Sequence, residues 1–113
     1  MDERVEKWLY DIRFAIEEID GFLYENKKTF DSFRQNILLK RAIERNLEII
    51  GEAVNRILSK DENIAIENAK KIVGLRNHII HSYDNISDEV VWAIVINHIP
   101  KLKNEIDKLL NLE

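Results

Sequence analysis

The sequence predicts an all-α protein, an antiparallel bundle of four to five helices that forms one domain over residues 1–113. Three glycines and one proline in the whole chain leave little for hairpins or long loops. Hydrophobic residues make up 45% of the chain, which is enough to fill the core of one domain. They recur every three or four residues over long stretches, as they do in amphipathic helices.

The first predicted helix runs from about Asp2 to Glu25. Its apolar stripe consists of Val5, Trp8, Leu9, Ile12, Ile16, Ile19 and Leu23. The polar stretch 26–29 ends this helix, and Thr29 or Asp31 can cap the next one.

A second long helix begins there and reaches a polar break at 59–63. Its apolar stripe consists of Phe33, Ile37, Ile43, Leu47, Ile50, Val54, Ile57 and Leu58. Gly51 lies inside this helix, where glycine costs about 1 kcal/mol relative to alanine. We therefore expect another helix or a partner to approach closely at Gly51.

A third helix follows the break and carries the most unusual residues of the chain. Its apolar positions are Ile66, Ala69, Ile72, Val73, Ile79 and Ile80. A turn at 84–87 ends it, with Ser87 as the N-cap of a fourth helix and Asp88 and Glu89 in the first turn, where acids favour the helix dipole.

The fourth helix is apolar on nearly all sides from Val90 to Ile99. We expect both of its faces to be covered and His98 to be a buried structural residue, and full coverage in so small a protein favours a homodimer. Pro100 should kink or restart this helix.

The composition excludes several classes of function. Without cysteine there is no disulfide framework, thiolate metal site or cysteine nucleophile. The start of the chain shows no signal-peptide pattern, and the longest apolar run, Val90–Ile96, is far shorter than the roughly 20 residues of a membrane span. We expect a cytoplasmic protein that does not enter a membrane.

The net charge of −4 argues against general attraction of nucleic acid, so any contact with RNA must be local. Lys70, Lys71 and Arg76 follow one another with no acid between Glu67 and Asp84. These cations form either a track for phosphates or an ordinary solvated helix face, and the sequence leaves both interpretations open.

The residues that can carry chemistry are Arg76, Asn77, His78, His81 and Tyr83, within eight positions at the end of the third helix. A guanidinium binds phosphate, an imidazole titrates near neutral pH, and a phenol can hydrogen-bond or accept a transferred group. Such groups suffice to cleave RNA by transesterification without a metal. His81 would be the base, Arg76 the cation, and His81 or His78 of another subunit the acid.

The spacing of Arg76 and His81 places them about 140° apart around a straight helix. One of them must reach around, or the helix must loosen near Ser82. A second copy of the motif across a symmetric dimer would remove the difficulty.

Simpler interpretations exist for each residue taken singly. Arg76 and Tyr83 could stack on the surface, and a lone histidine is more often structural than catalytic. His78, His81 and Asp84 have a spacing that could hold a metal, but two histidines with no fixed third ligand are a weak signal. No metal and no cofactor are therefore expected.

The arrangement Arg-Asn-x3-His-x-Tyr, formed by Arg76, Asn77, His81 and Tyr83, matches the motif of the HEPN family. The chain resembles the HepT-like ribonuclease toxins within that family.

The resemblance extends beyond the motif to nearly the whole chain. Residues 45–53, RNLEIIGEA, are similar to the family's second-helix signature. Residues 91–92 and 99–102 are similar to its C-terminal helix.

The resemblance implies a homodimeric HEPN bundle whose two motifs meet in a cleft at or beside the interface. It implies a toxin that arrests growth as a metal-independent endoribonuclease. Arg76 would hold the scissile phosphate, His81 would be general base or acid, and Asn77 would orient His81 or the phosphate. His78 and Tyr83 would support them.

The resemblance also implies a protein partner, a minimal nucleotidyltransferase antitoxin. In some such systems this partner silences the toxin by transferring AMP to a motif tyrosine, for which Tyr83 is the candidate here. Some relatives carry a tyrosine where this chain has His78.

HEPN proteins also serve as non-catalytic companions of nucleotidyltransferases that bind nucleotide or present a substrate, which is the alternative function. Glu48 and Glu52, one helical turn apart, either line the same cleft or form an exposed acid pair.

Overall fold

The computed structural model describes residues 1–81 and 87–112, and in these ranges the elements are helices joined by short connections. They are α1 (Glu3–Glu25), α2 (Phe30–Gln35), α3 (Ile37–Lys60), α4 (Ala69–His81), α5 (Asp88–Asn97) and α6 (Ile99–Leu109). The predicted all-α bundle is confirmed.

The beginnings of the helices follow from their capping residues. The Asp2 carboxylate accepts hydrogen bonds from the backbone N–H groups of Arg4 and Val5 at the start of α1, and these bonds lower the pKa of Asp2. Thr29 caps α2 and Ser87 caps α5 through their hydroxyl oxygens, as the sequence predicts.

The second predicted helix is divided in two at Asn36, so the expectation of one unbroken helix is wrong there. Asn36 has an extended backbone, and its side-chain oxygen accepts the Leu39 N–H at 3.0 Å as the N-cap of α3. Its amide nitrogen donates to Asn26 Oδ1 at 3.4 Å, which ties the end of α1 to the start of α3. The side chain thus competes successfully with the helical backbone.

The long helices pack antiparallel around one core. Arg13 binds Asp107 at 3.0 Å and Asp20 lies 3.5 Å from Lys103, so α1 and α6 run in opposite directions. The most deeply buried side chains of the core are Leu9, Ile12, Ile16, Ile19, Phe33, Ile43, Ile50, Val54, Ile57, Ile79 and Ile106.

The fourth predicted helix restarts at its C-terminal end, as the proline predicts, because Pro100 lies in the first turn of α6. Val91 and Val95 are buried, but Val90 is 50% exposed, so one chain covers only part of this apolar helix. His98 is exposed at the bend between α5 and α6, and the expectation that it is buried is wrong.

No helix in the described ranges is long and apolar enough to cross a membrane.

We predict that Asn36→Ala destabilises the protein by about 1 kcal/mol, because it removes the cap of α3. Urea denaturation followed by circular dichroism measures the change. Asn55→Ala is the matched control, since Asn55 is exposed in the interior of α3, where alanine favours the helix. Equal stability of the two variants would contradict the capping role.

Candidate active site on helix α4

Helix α4 lies directly on α3 at Gly51, the residue that the sequence marks as a point of close approach. A Cβ atom placed on Gly51 would lie 2.2 Å from Arg76 Cβ and 3.2 Å from the Ile72 carbonyl oxygen. No side chain fits between the two helices at this point. Glycine at 51 therefore fixes the distance between α3 and the stem of Arg76, and the predicted close approach is confirmed.

The head of Arg76 turns away from this contact toward the next residue. Its Nη1 donates to Asn77 Oδ1 at 2.9 Å, while its Nε is buried with no hydrogen-bond partner among the described residues. Arg76 also forms no ion pair with any described acid. No described acid therefore neutralises this positive charge, and the guanidinium can bind an anion such as phosphate.

Asn77 lies on the side of α4 that faces away from α3, and position 81, four residues later, lies on the same side of the helix. Lys70, Gly74, Asn77 and His81 follow at spacings of four, three and four residues, which keeps them within about 60° of one another around the helix axis. We call these four residues the outer line. Asn77 is exposed and holds the Arg76 guanidinium at the edge of this line, a contact that the sequence did not predict.

The remaining motif residues are placed only in part. Helix α4 is regular as far as His81, so it does not loosen between Arg76 and His81. His78 is exposed on α4. The orientation of the His81 side chain lies outside what the structure describes, and so do Ser82, Tyr83 and Asp84.

A polar hollow of about 340 Å³ lies beside the last turn of α4. Its lining residues are Arg41, Glu44, Arg45 and Glu48 of α3 with Ile79 and Ile80 of α4. Burial raises the pKa of Glu44, and the charge of Asp88 acts in the same direction, while Arg41 opposes both. Sequence analysis missed Glu44, although its place one turn before Glu48 on α3 could have indicated it.

Glu48 and Glu52, the two acids that the sequence analysis singled out, have different surroundings in the structure. Glu48 lines the hollow and accepts a hydrogen bond from Arg45 at 3.3 Å. Glu52 points to Arg56, which donates to it at 2.6 Å. Of these two acids, Glu48 alone lines the hollow beside the last turn of α4.

Helix α4 differs from the rest of the chain in its charge. Among the six helices described, it alone contains no acidic residue. Lys70, Lys71 and Arg76 give it a charge of +3 in a chain of net charge −4, so the remaining residues carry −7. Lys70 and Lys71 are exposed, and neither forms an ion pair with a described acid.

The described residues contain no group of three or more side chains arranged to hold a metal ion.

The chain matches the family model described as "Ribonuclease HepT-like" over residues 12–109. No solved structure matches it significantly.

Several curated relatives are similar to this chain over almost their whole length. A protein provisionally named an RNase from Caldanaerobacter subterraneus subsp. tengcongensis is 31% identical over 110 residues, which are 96% of this chain and 93% of that protein. A protein with the same kind of provisional name from Methanocaldococcus jannaschii is 35% identical over 105 residues, 91% of this chain and 94% of that protein. A third, from Thermococcus cleftensis, is named by inference as ribonuclease HepT and is 34% identical over 103 residues, 90% of this chain and 92% of that protein.

We predict that Gly51→Ala destabilises the protein, by about 1–3 kcal/mol, because its Cβ overlaps Arg76 and α4 must move away from α3. Gly21→Ala is the matched control, since a Cβ at Gly21 meets no atom within 4 Å and alanine should stabilise α1 by up to about 1 kcal/mol. Thermal and urea denaturation measure both. Opposite signs are expected, and a stabilised Gly51→Ala variant would contradict the packing argument.

Proposed function

Because this chain belongs to the HepT-like ribonuclease family, we propose that it is a metal-independent endoribonuclease whose reaction centre is the Arg76–His81 motif of α4. The observation that carries this proposal is the packing and charge environment of Arg76. The close packing on Gly51 fixes its stem, Asn77 turns its guanidinium toward the outer line, and no described acid neutralises its charge. A fixed and uncompensated cation is suited to the developing charge of a pentacoordinate phosphorane.

The proposed reaction uses the RNA as its own nucleophile. A general base removes the proton of the 2′-hydroxyl, and the 2′-oxygen attacks the adjacent phosphorus. Arg76 stabilises the charge on the phosphorane oxygens, and a general acid gives a proton to the departing 5′-oxygen. The products are a 2′,3′-cyclic phosphate and a free 5′-hydroxyl. His81 performs one of the two proton transfers.

We propose that a homodimer supplies the second proton-transfer group. The regular helix separates Arg76 and His81 by about 140° and about 7.5 Å along the axis, so one chain does not direct both side chains to the same side. A symmetry-related α4 offers a second His81 and a second His78. Ile80, exposed in the last turn of α4, and Val90, 50% exposed on α5, are apolar surface that such a dimer would cover.

We further propose that the enzyme is a toxin controlled by a minimal nucleotidyltransferase. The phenol oxygen of Tyr83 would lose its proton to solvent and attack the α-phosphorus of ATP. This forms the bond from oxygen to AMP and breaks the bond between the α-phosphorus and the bridging oxygen of the departing pyrophosphate. An added nucleotide two residues after His81 would bring negative charge and bulk to the motif. RNA binding would be lost because like charges repel and the space is filled.

We predict that the purified protein cleaves RNA in EDTA and leaves 2′,3′-cyclic phosphate ends, while His81→Ala does not. Removal of the general acid or base should lower the rate by about 100-fold or more. His98→Ala is the matched control, because His98 is an exposed histidine outside the motif. Denaturing gels with end-group analysis give the result. Equal cleavage by His81→Ala and wild type would contradict the catalytic assignment.

The same assay tests the alternative, a non-catalytic companion of a nucleotidyltransferase. Protein shown by intact mass to be unmodified should cut RNA if it is the enzyme. Absence of cleavage, together with nucleotide or nucleotidyltransferase binding that Arg76→Ala weakens, would favour the companion function instead.

We predict that a cognate nucleotidyltransferase with ATP adds AMP to Tyr83, so that Tyr83→Phe stays unmodified and active. Tyr24→Phe is the matched control, because Tyr24 is 92% exposed on α1 and is the most accessible described phenol. Intact-mass and peptide mass spectrometry locate the adduct. AMP on Tyr24 or His78, with Tyr83 unmodified, would contradict this assignment.

A further inference from the structure

Helix α4 carries two features that are unfavourable for the helix itself. Gly74 is exposed in its interior, and a Cβ placed there meets no atom within 4 Å. Internal packing thus gives no reason for glycine, which costs about 1 kcal/mol relative to alanine. Lys70 and Lys71 lie in the first turn, where their charges oppose the helix dipole and no acid offsets them. Helices α1, α2 and α5 have acids in that turn, whereas α3 and α6, like α4, have none.

Both features become favourable if a polyanion lies against α4 from outside. The lysines then meet phosphates, and the positive end of the helix dipole adds to their attraction. The bare backbone at Gly74 lets the nucleic-acid chain approach between Lys70 and Asn77, where any side chain would hold it away. The contrast with Gly51 is informative, because the glycine there is explained by packing inside the protein.

We infer that the outer line of α4, flanked by Lys71, is a binding track for single-stranded RNA that leads the strand to the Arg76–His81 motif. From Lys70 to His81 the track extends about 16 Å along the helix, which is longer than one nucleotide. This inference rests on the proposed ribonuclease function and adds to it the form of the substrate and the residues outside the motif that hold it.

The charges around the track favour RNA over a second copy of this chain. A two-fold contact centred on Gly74 would place lysines and histidines of one α4 against those of the other, with no acid on either helix to pair with them. Glu67 lies just before α4, where its carboxylate is bound by Lys101. This contact lowers the pKa of Glu67, and the charge of Lys71 acts in the same direction. The acid nearest in sequence is therefore already paired.

The test measures binding of a single-stranded RNA oligonucleotide with 2′-O-methyl riboses, which cannot be cleaved, by fluorescence anisotropy over a range of salt concentrations. Gly74→Ala should raise the Kd several-fold while raising the melting temperature. Gly21→Ala should raise the melting temperature and leave the Kd unchanged, because Gly21 is equally open but lies on α1.

The lysines are tested in the same assay with a matched change of charge. Lys70→Gln/Lys71→Gln should reduce the slope of log K against log salt by about 1.4, which corresponds to two lost phosphate contacts on a single strand. Lys27→Gln/Lys28→Gln, an adjacent and exposed pair between α1 and α2, should leave the slope nearly unchanged.

Unchanged RNA affinity in Gly74→Ala, or equal effects of the two lysine pairs, would overturn the inference. So would a change in sedimentation of Gly74→Ala at constant RNA affinity, which would assign the face to protein contacts. Because the oligonucleotide cannot be cut, the result is independent of catalysis. Loss of binding in Gly74→Ala by a protein that never cleaves RNA in EDTA would support the track and refute the nuclease.

Discussion

The contact between α3 and α4 at Gly51 is the constraint on which the candidate site depends. Because no side chain intervenes, the stem of Arg76 lies against the backbone of α3. The hydrogen bond to Asn77 then directs the charge toward the outer line. An arginine is a long and flexible side chain, and packing one end while hydrogen-bonding the other removes much of that freedom before a substrate arrives.

The distribution of charge explains how an acidic protein can act on RNA. The residues outside α4 carry a net charge of −7, while α4 carries +3 without any acid. In the proposed function, this separation would favour binding of RNA to α4 over indiscriminate binding elsewhere. The α3–α4 contact at Gly51 and the acid-free helix α4 therefore have complementary roles in the proposed function, since the first holds the stem of the arginine and the second would bring the substrate to it.

Hydrophobic periodicity predicted the helical stretches, and residue types predicted several caps and the close approach at Gly51, because these features depend on local residue chemistry. It did not predict the break at Asn36, where a side chain replaces backbone hydrogen bonds in a stretch that otherwise has helical spacing. The motif residues could be found from their types, but the Arg76–Asn77 bond and the burial of Glu44 depend on how α3 and α4 dock. Docking of this kind depends on three-dimensional packing, which residue spacing along one helix does not contain.

The most direct test of this account is the rate of RNA cleavage by Gly51→Ala, measured at a temperature where denaturation curves show the variant to be fully folded. Gly21→Ala serves as the reference. The account predicts that kcat falls in Gly51→Ala, because a displaced α4 moves the guanidinium from the reacting phosphate, while Gly21→Ala keeps the wild-type kcat. A folded Gly51→Ala protein that cleaves RNA at the full wild-type kcat would show that the α3–α4 contact does not position the reaction centre.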